Sequence, residues 1–337
     1  MRAINTTKLL QTGLQCKKLT DLVNLKNKSA AVLATIAMPL VLTGCEAPLN
    51  LEGIEQEQNK SVRRTDQLQA LAVSKDVVTV VGSNGLVLTS TTPELNWQRQ
   101  ELESKPNFVA VETCPDNSLI ALSMEHQLWI SDDQGKHWRS SDIPTAESLI
   151  SVTCGPDNSY WAMGSFSTLM SSHDKGTSWN ELSLNEDATI SGLQFFDSDN
   201  AIAVGEFGFM ARSSDGGQNW TLQEPIPNEF FPLGSHFSNA STGWVAGLGG
   251  TILSTTDGGQ TWQQQETPTE SPIYNFYAND TRLFAFGDHG TVLEKLDKKW
   301  VRIEAPKIPV YLRAGKQIDE NRLLVSGGWG ALFTVDI

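Results

Sequence analysis

The sequence predicts an all-β fold, a seven-bladed β-propeller of four-stranded blades. Three observations predict it: a repeat of about 41 residues, four short apolar runs in each repeat, and a tryptophan at a fixed place in the first six units. The segments VVGSNGLVLTS, ALSMEHQLWIS, AMGSFSTLMSS, AVGEFGFMARS, VAGLGGTILST, AFGDHGTVLEK and VSGGWGALFTV align without gaps. Their first glycine, or its stand-in, falls at Gly82, Ser123, Gly164, Gly205, Gly247, Gly287 and Gly327, with spacings of 41, 41, 41, 42, 40 and 40. Trp97, Trp138, Trp179, Trp220, Trp262 and Trp300 keep the same register.

Each unit parses into four strands. In the fourth, Ile190–Phe196 is the inner strand, followed by 201–204, 209–213 and an outer strand near 219–223. Glycines flank the second hairpin, where two-residue turns need positive φ. Helical periodicity is missing from the body of the chain, which removes a helical solenoid. The seventh unit stops at Ile337 after its third strand, so part of residues 51–64 is expected to pair beside 332–337 and close the ring.

Three segments are expected: a signal peptide over 1–44, an acidic tether and closing strand over 45–64, and the propeller over 65–337. Residues 1–28 are basic, and 29–42 (SAAVLATIAMPLVL) form an apolar run too short to span a bilayer comfortably. The run ends in Leu42-Thr43-Gly44-Cys45, which resembles the bacterial lipobox, with Cys45 as the lipidated residue. Acyl chains there would attach the chain stably to a membrane. The expected location is the cell envelope, facing the periplasm, with Glu46 favouring the outer over the inner membrane. The full chain has 25 Lys+Arg and 39 Asp+Glu, a formal charge of −14. Without residues 1–44 the charge is near −19, which repels nucleic acid and anionic headgroups.

Cys114 and Cys154 remain after the leader and Cys45 are set aside. They lie in the matching contexts TCPDNS and TCGPDNS. If Gly155 is absorbed in the turn, both side chains face the same way round the ring, and two buried free thiols are expected in preference to a disulfide.

Four units end in Ser/Thr-x-Asp-x-Gly-x-x-Trp: Asp133 with Trp138, Asp174 with Trp179, Asp215 with Trp220, and Asp257 with Trp262. This is the Asp-box of bacterial neuraminidase repeats, and its physics is local and structural. Asp accepts turn N–H groups, Gly takes a left-handed position, and Trp packs between blades. With the glycine hairpin that precedes it, the consensus SSDGGQNW or TTDGGQTW resembles the photosystem II stability/assembly factor family over about residues 65–337. The resemblance implies a seven-bladed, non-enzymatic, chaperone-like lipoprotein that holds a membrane-protein subunit during assembly. The family's repeat often carries Arg just before the Asp-box. Here only Arg212 does, and with the acidity this points to a non-photosynthetic bacterial member.

No catalytic residue, metal site or cofactor is expected. A sialidase needs an arginine triad, a tyrosine nucleophile and an acid/base carboxylate, and only Arg313 near Tyr311 suggests such a pairing. The histidines show no metal-ligand spacing, the Asp-Gly-Gly turns lack the donors of a calcium loop, and no phosphate-cradling motif is present.

Propeller topology places the second hairpin tips and the inter-blade loops on one face and the Asp-boxes on the other. Phe166, Phe207, Leu248 and Trp329 stand at hairpin tips, and Phe230 and Phe231 in the loop 225–232. Together with Arg313 they form the candidate partner-binding face, as large exposed apolar groups gathered on one side mark binding sites. The alternative is that some fold inward and plug the channel. The expected function is a monomeric, membrane-tethered scaffold, assembly or accessory factor for an envelope or photosystem-like membrane-protein complex. A carbohydrate- or peptidoglycan-binding propeller is the second reading, and a sialidase-like glycosidase the third.

Overall fold

A computed structural model describes residues 51–297 and 299–337. The expected signal peptide and Cys45 lie outside the described residues. Apart from the short helix Glu52–Gln58, the described chain is almost entirely β. Seven antiparallel sheets follow one another in sequence order, six with four strands and the last with three. Blade 4 shows the pattern: Ile190–Phe195, Ala201–Gly205, Met210–Ser213 and Thr221–Leu222, paired in that order. Neighbouring inner strands pack side by side, and the first, Leu68–Ser74, packs on the last, Leu312–Gln317, closing the ring.

The apolar interior is divided into seven clusters, one at each interface between adjacent blades. The reason lies in the strand pattern. The middle strands of a blade are buried on both faces, as in Tyr160–Gly164 and Ala201–Gly205, so every sheet has an apolar surface on each side. The Asp-box tryptophans sit at these interfaces, Trp179 against blade 2 and Trp220 against blade 3. Blade 7 lacks such a tryptophan. Phe333, Ile337 and the loop residues Ile303 and Ile308 fill the corresponding space between blades 6 and 7.

The repeat glycine has a cause other than the one expected. Gly205 is extended, with φ −169°. A Cβ there would collide with the Thr189 carbonyl oxygen, and one at Gly327 with that of Tyr311. Close backbone approach between the second strand and the start of the inner strand therefore selects glycine. Positive φ belongs to the turn glycines that follow, Gly208 and Gly330 among them.

Two expectations are corrected. Residues 51–64 do not form the closing strand: Glu52–Gln58 is helical, and strand Leu332–Asp336 has no outer partner among the described residues. The segment EGIEQEQ is rich in helix-favouring Glu and Gln and lacks the alternation a strand needs. The following residues act as one more inter-blade loop. The Gly330 N–H donates to the Asp66 carbonyl, as the Gly85 N–H does to that of Pro106. Val62 packs into the cluster between blades 7 and 1. Asp66 accepts the Arg63 N–H at 2.7 Å and both terminal nitrogens of Arg99 at 2.9 and 3.1 Å.

The second correction concerns the cysteines. Cys114 and Cys154 form a disulfide between blades 2 and 3, with their Cα atoms 5.3 Å apart. Gly155, not Cys154, is the counterpart of Cys114, since the N–H of each donates to the carbonyl of the serine four residues on. Cys154 pairs with Tyr160 as Thr113 pairs with Leu119. The two cysteines thus differ by one residue in register, and one step along a strand reverses the side chain, so they meet across the interface.

Candidate functional site

On the Asp-box face the turns are closed by their own side chains. At Asp174, the Ser172 hydroxyl and the Ser178 N–H donate to Oδ1 at 2.9 and 2.8 Å, and the Ser178 hydroxyl to Oδ2 at 2.6 Å. The Gly176 N–H donates to the Ser172 hydroxyl at 2.9 Å, and Gly176 has φ 82°. Asp133, Asp215 and Asp257 repeat the arrangement. The hydroxyl bonds from Ser178 and Thr261, followed by the N–H groups of the same residues, hold the Asp174 and Asp257 carboxyls down to about 2. These carboxylates spend most of their acceptor capacity inside their own turns.

The opposite face carries the hairpin tips, and the four tip residues expected at solvent are exposed: Phe166 56%, Phe207 60%, Leu248 64% and Trp329 70%. None plugs the channel. Met124, at 66%, adds a fifth tip that the glycine register did not reveal. Blade 2 has Ser123 in place of the glycine, and its turn closes from the His126 N–H to the Ser123 carbonyl. The loop phenylalanines divide. Phe231 is exposed and lines the channel mouth. Phe230 is half-buried in the cluster between blades 4 and 5, its ring over Gly247, so it leaves the expected docking set. Its carbonyl accepts the Gly208 N–H, which pins the loop with that side chain inward.

Backbone geometry singles out three tips. Asn84, Phe166, Phe207, Gly249, His289 and Trp329 occupy the same turn position at φ between 51° and 61°. Each precedes a second residue of positive φ, and the N–H after it bonds back to the carbonyl before the pair, as in Thr168 to Ser165 and Phe209 to Glu206. These are type I′ turns, for which Asn and Gly are the unstrained choices. Bulky aromatics at positive φ cost about 1–2 kcal/mol each. Blades 3, 4 and 7 hold such residues with the ring turned to solvent.

The channel is lined by the inner strands and encloses about 690 Å³. Six inner strands carry a β-bulge just after their first residue, and the unpaired residues are Gln69, Val109, Ile150, Ser191, Tyr274 and Arg313. All six line the channel, because a bulge re-aims the side chain of its extra residue. Arg313 donates to Gln69 Oε1 at 2.8 Å and lies 5.9 Å from the Tyr274 ring centre. Tyr311 donates to Gln67 Oε1 at 3.1 Å, and burial pushes its phenol up, away from nucleophile behaviour. Deeper in the wall, enclosure pushes the Glu112 carboxyl up against the pull of Lys316. Burial, and then Lys316, pushes His236 down. Among the described residues no group of three His, Cys, Asp or Glu could hold a metal ion.

The family model described as photosynthesis system II assembly factor YCF48 matches residues 130–230, which hold the Asp-boxes of blades 2, 3 and 4. No curated protein sequence matches the chain. Among solved structures, one titled YCF48 bound to D1 peptide is 15% identical with a TM-score of 0.66, covering 81% of this chain and 92% of its own. YCF48 from Cyanidioschyzon merolae is 17% identical, with a TM-score of 0.64 and coverages of 81% and 96%. A virginiamycin B lyase from Staphylococcus aureus is 12% identical, with a TM-score of 0.71 and coverages of 83% and 97%, so the fold is shared with enzymes as well as assembly factors. The chain is thus a seven-bladed propeller whose residues 130–230 are similar to the photosystem II assembly factor YCF48 family.

Proposed function

We propose that the protein is a non-enzymatic assembly or accessory factor, tethered to a membrane of the cell envelope through Cys45, that holds a membrane-protein subunit on its hairpin-tip face. One observation carries this reading: Phe166, Phe207 and Trp329 are displayed to solvent from turn positions that favour Asn or Gly. A strained, exposed apolar residue lowers both stability and solubility, and its recurrence in three blades fits a surface kept for contact. The neighbour titled as bound to D1 peptide supports a propeller of this kind gripping a segment of a membrane protein. The segment that leads into the ring runs past the same face, since Asp66 bonds the tip residue Gly330. The Cys114–Cys154 disulfide accords with an oxidising compartment.

The test is recovery of the tethered chain from native membranes after crosslinking. The wild-type protein is expected to bring down a membrane-protein subunit, and the Phe207→Ser, Trp329→Ser double variant to lose it with an unchanged or higher Tm. Undiminished capture by the double variant would remove the tip face from the function. Turnover of a glycoside by the purified protein would replace the reading with an enzymatic one.

A further inference from the structure

The tip face differs from part to part, and the difference specifies what covers it. Exposed apolar tips form an unbroken run over blades 2 to 5, at Met124, Phe166, Phe207 and Leu248. These blades are adjacent in the ring, because their inner strands pack in sequence order. The four loops that follow them, 143–148, 184–189, 223–233 and 266–272, each contain at least one carboxylate and no Lys or Arg. Glu186, Asp187, Glu229 and Glu270 are exposed there, and their carboxylates make no hydrogen bond or ion pair among the described residues. The cations on this side stand outside these loops, among them Arg63 and Arg64 before blade 1, Lys105 after it, Arg302 beside the blade 6 tip, Lys307 after blade 6 and Arg313 in blade 7.

Resting on the docking role proposed above, we infer that the arc over blades 2 to 5 binds a cationic, apolar-rich peptide segment, its Lys and Arg facing the loop carboxylates and its large side chains between the tips. Charge complementarity excludes the other occupants. An acidic segment or an anionic bilayer would bring like charge against a surface that offers no counter-charge in the arc. A purely apolar partner would leave the carboxylates desolvated and unpaired. These loop carboxylates have no structural duty, unlike those of the Asp-boxes. Glu125, Glu147 and Glu206 are different again: they accept N–H or O–H groups of Asn107, Ser165 and Thr189 and are left out of the test.

The experiment measures binding of the full chain, in mild non-ionic detergent, to two synthetic peptides with one pattern of Leu and Trp, one carrying Lys and the other Glu. The Lys peptide is expected to bind at least about tenfold more tightly, and to lose about tenfold between 50 and 500 mM salt as screening rises. The variant Glu186→Gln, Asp187→Asn, Glu229→Gln, Glu270→Gln is expected to lose about tenfold for the Lys peptide alone, with Tm unchanged. Phe166→Asn with Phe207→Asn is expected to weaken both peptides, with Tm unchanged or higher. Equal affinity for the two peptides, no effect of the four carboxylate changes, or preferential binding to phosphatidylglycerol over phosphatidylcholine vesicles would each overturn the inference. Such a failure leaves the assembly reading intact if crosslinked capture still depends on Phe207 and Trp329. Loss of that dependence while the Lys peptide still binds the arc would overturn the assembly reading instead.

Discussion

The two faces of this ring use the same residue types for opposite ends. On the Asp-box face the carboxylates are consumed locally: Asp174 accepts three bonds from Ser172 and Ser178, and Asp257 three from Thr255 and Thr261. On the tip face, Glu186, Asp187, Glu229 and Glu270 are left in water, and aromatic rings stand where a turn would favour Asn. The first face uses its polar groups within its own turns, and the second leaves carboxylates and aromatic rings to solvent. Natural chains depart from local consistency mainly where a surface is used, and large exposed rings at strained turns mark such a surface better than the conspicuous motif does.

The largest expected effect tests the skeleton that both faces share. Gly327→Val places a side chain against the Tyr311 carbonyl, and its expected cost is at least about 3 kcal/mol, read as loss of the cooperative thermal transition. Next, Cys114→Ser with Cys154→Ser opens a link spanning 40 residues, with an expected loss of about 2–4 kcal/mol in urea unfolding. Smaller again is Asp174→Asn with Asp257→Asn. These carboxyls titrate at about 2 when folded against 3.8 otherwise, so their contribution is present above pH 4 and is lost as pH falls from about 4 to 2. The double variant is expected to show a lower Tm at pH 6 and a flatter fall in Tm through that acid window. The smallest effect has the opposite sign. Phe207→Asn relieves the turn and is expected to raise stability by up to about 1 kcal/mol. A fall in Tm would show that the ring packs on something and would erase the contrast between the faces.

Much of the fold was legible because the period is written in residue identity. The repeat glycines and tryptophans mark contacts that recur in six of the seven blades each, and the Asp-box closes within a few residues, so its bonds follow from spacing alone. What escaped lies between strands. A bulge is a property of pairing, and nothing in the string RAGKQ says that Arg313 is the extra residue. The cysteines lie one step out of register because Gly155 continues the strand pairing, opposite Ser159, instead of joining the turn. The matching contexts TCPDNS and TCGPDNS do not show this. Phe230 and Phe231 look alike in PNEFFP, yet one is pinned inward through its carbonyl bond to Gly208. Residues 52–58 follow their own helical composition, whatever blade 7 lacks.

The seam where the ring closes has a mechanical consequence. Among the described residues blade 7 has three strands, and the chain joins the ring there through Val62 and Asp66. A pull on the N-terminal segment therefore meets the ring at its least-paired joint. Asp66 grips Arg99 on the outer strand of blade 1, while its carbonyl holds Gly330 of blade 7. One residue thus divides such a load between the first and last blades, at the joint where the two ends of the ring meet.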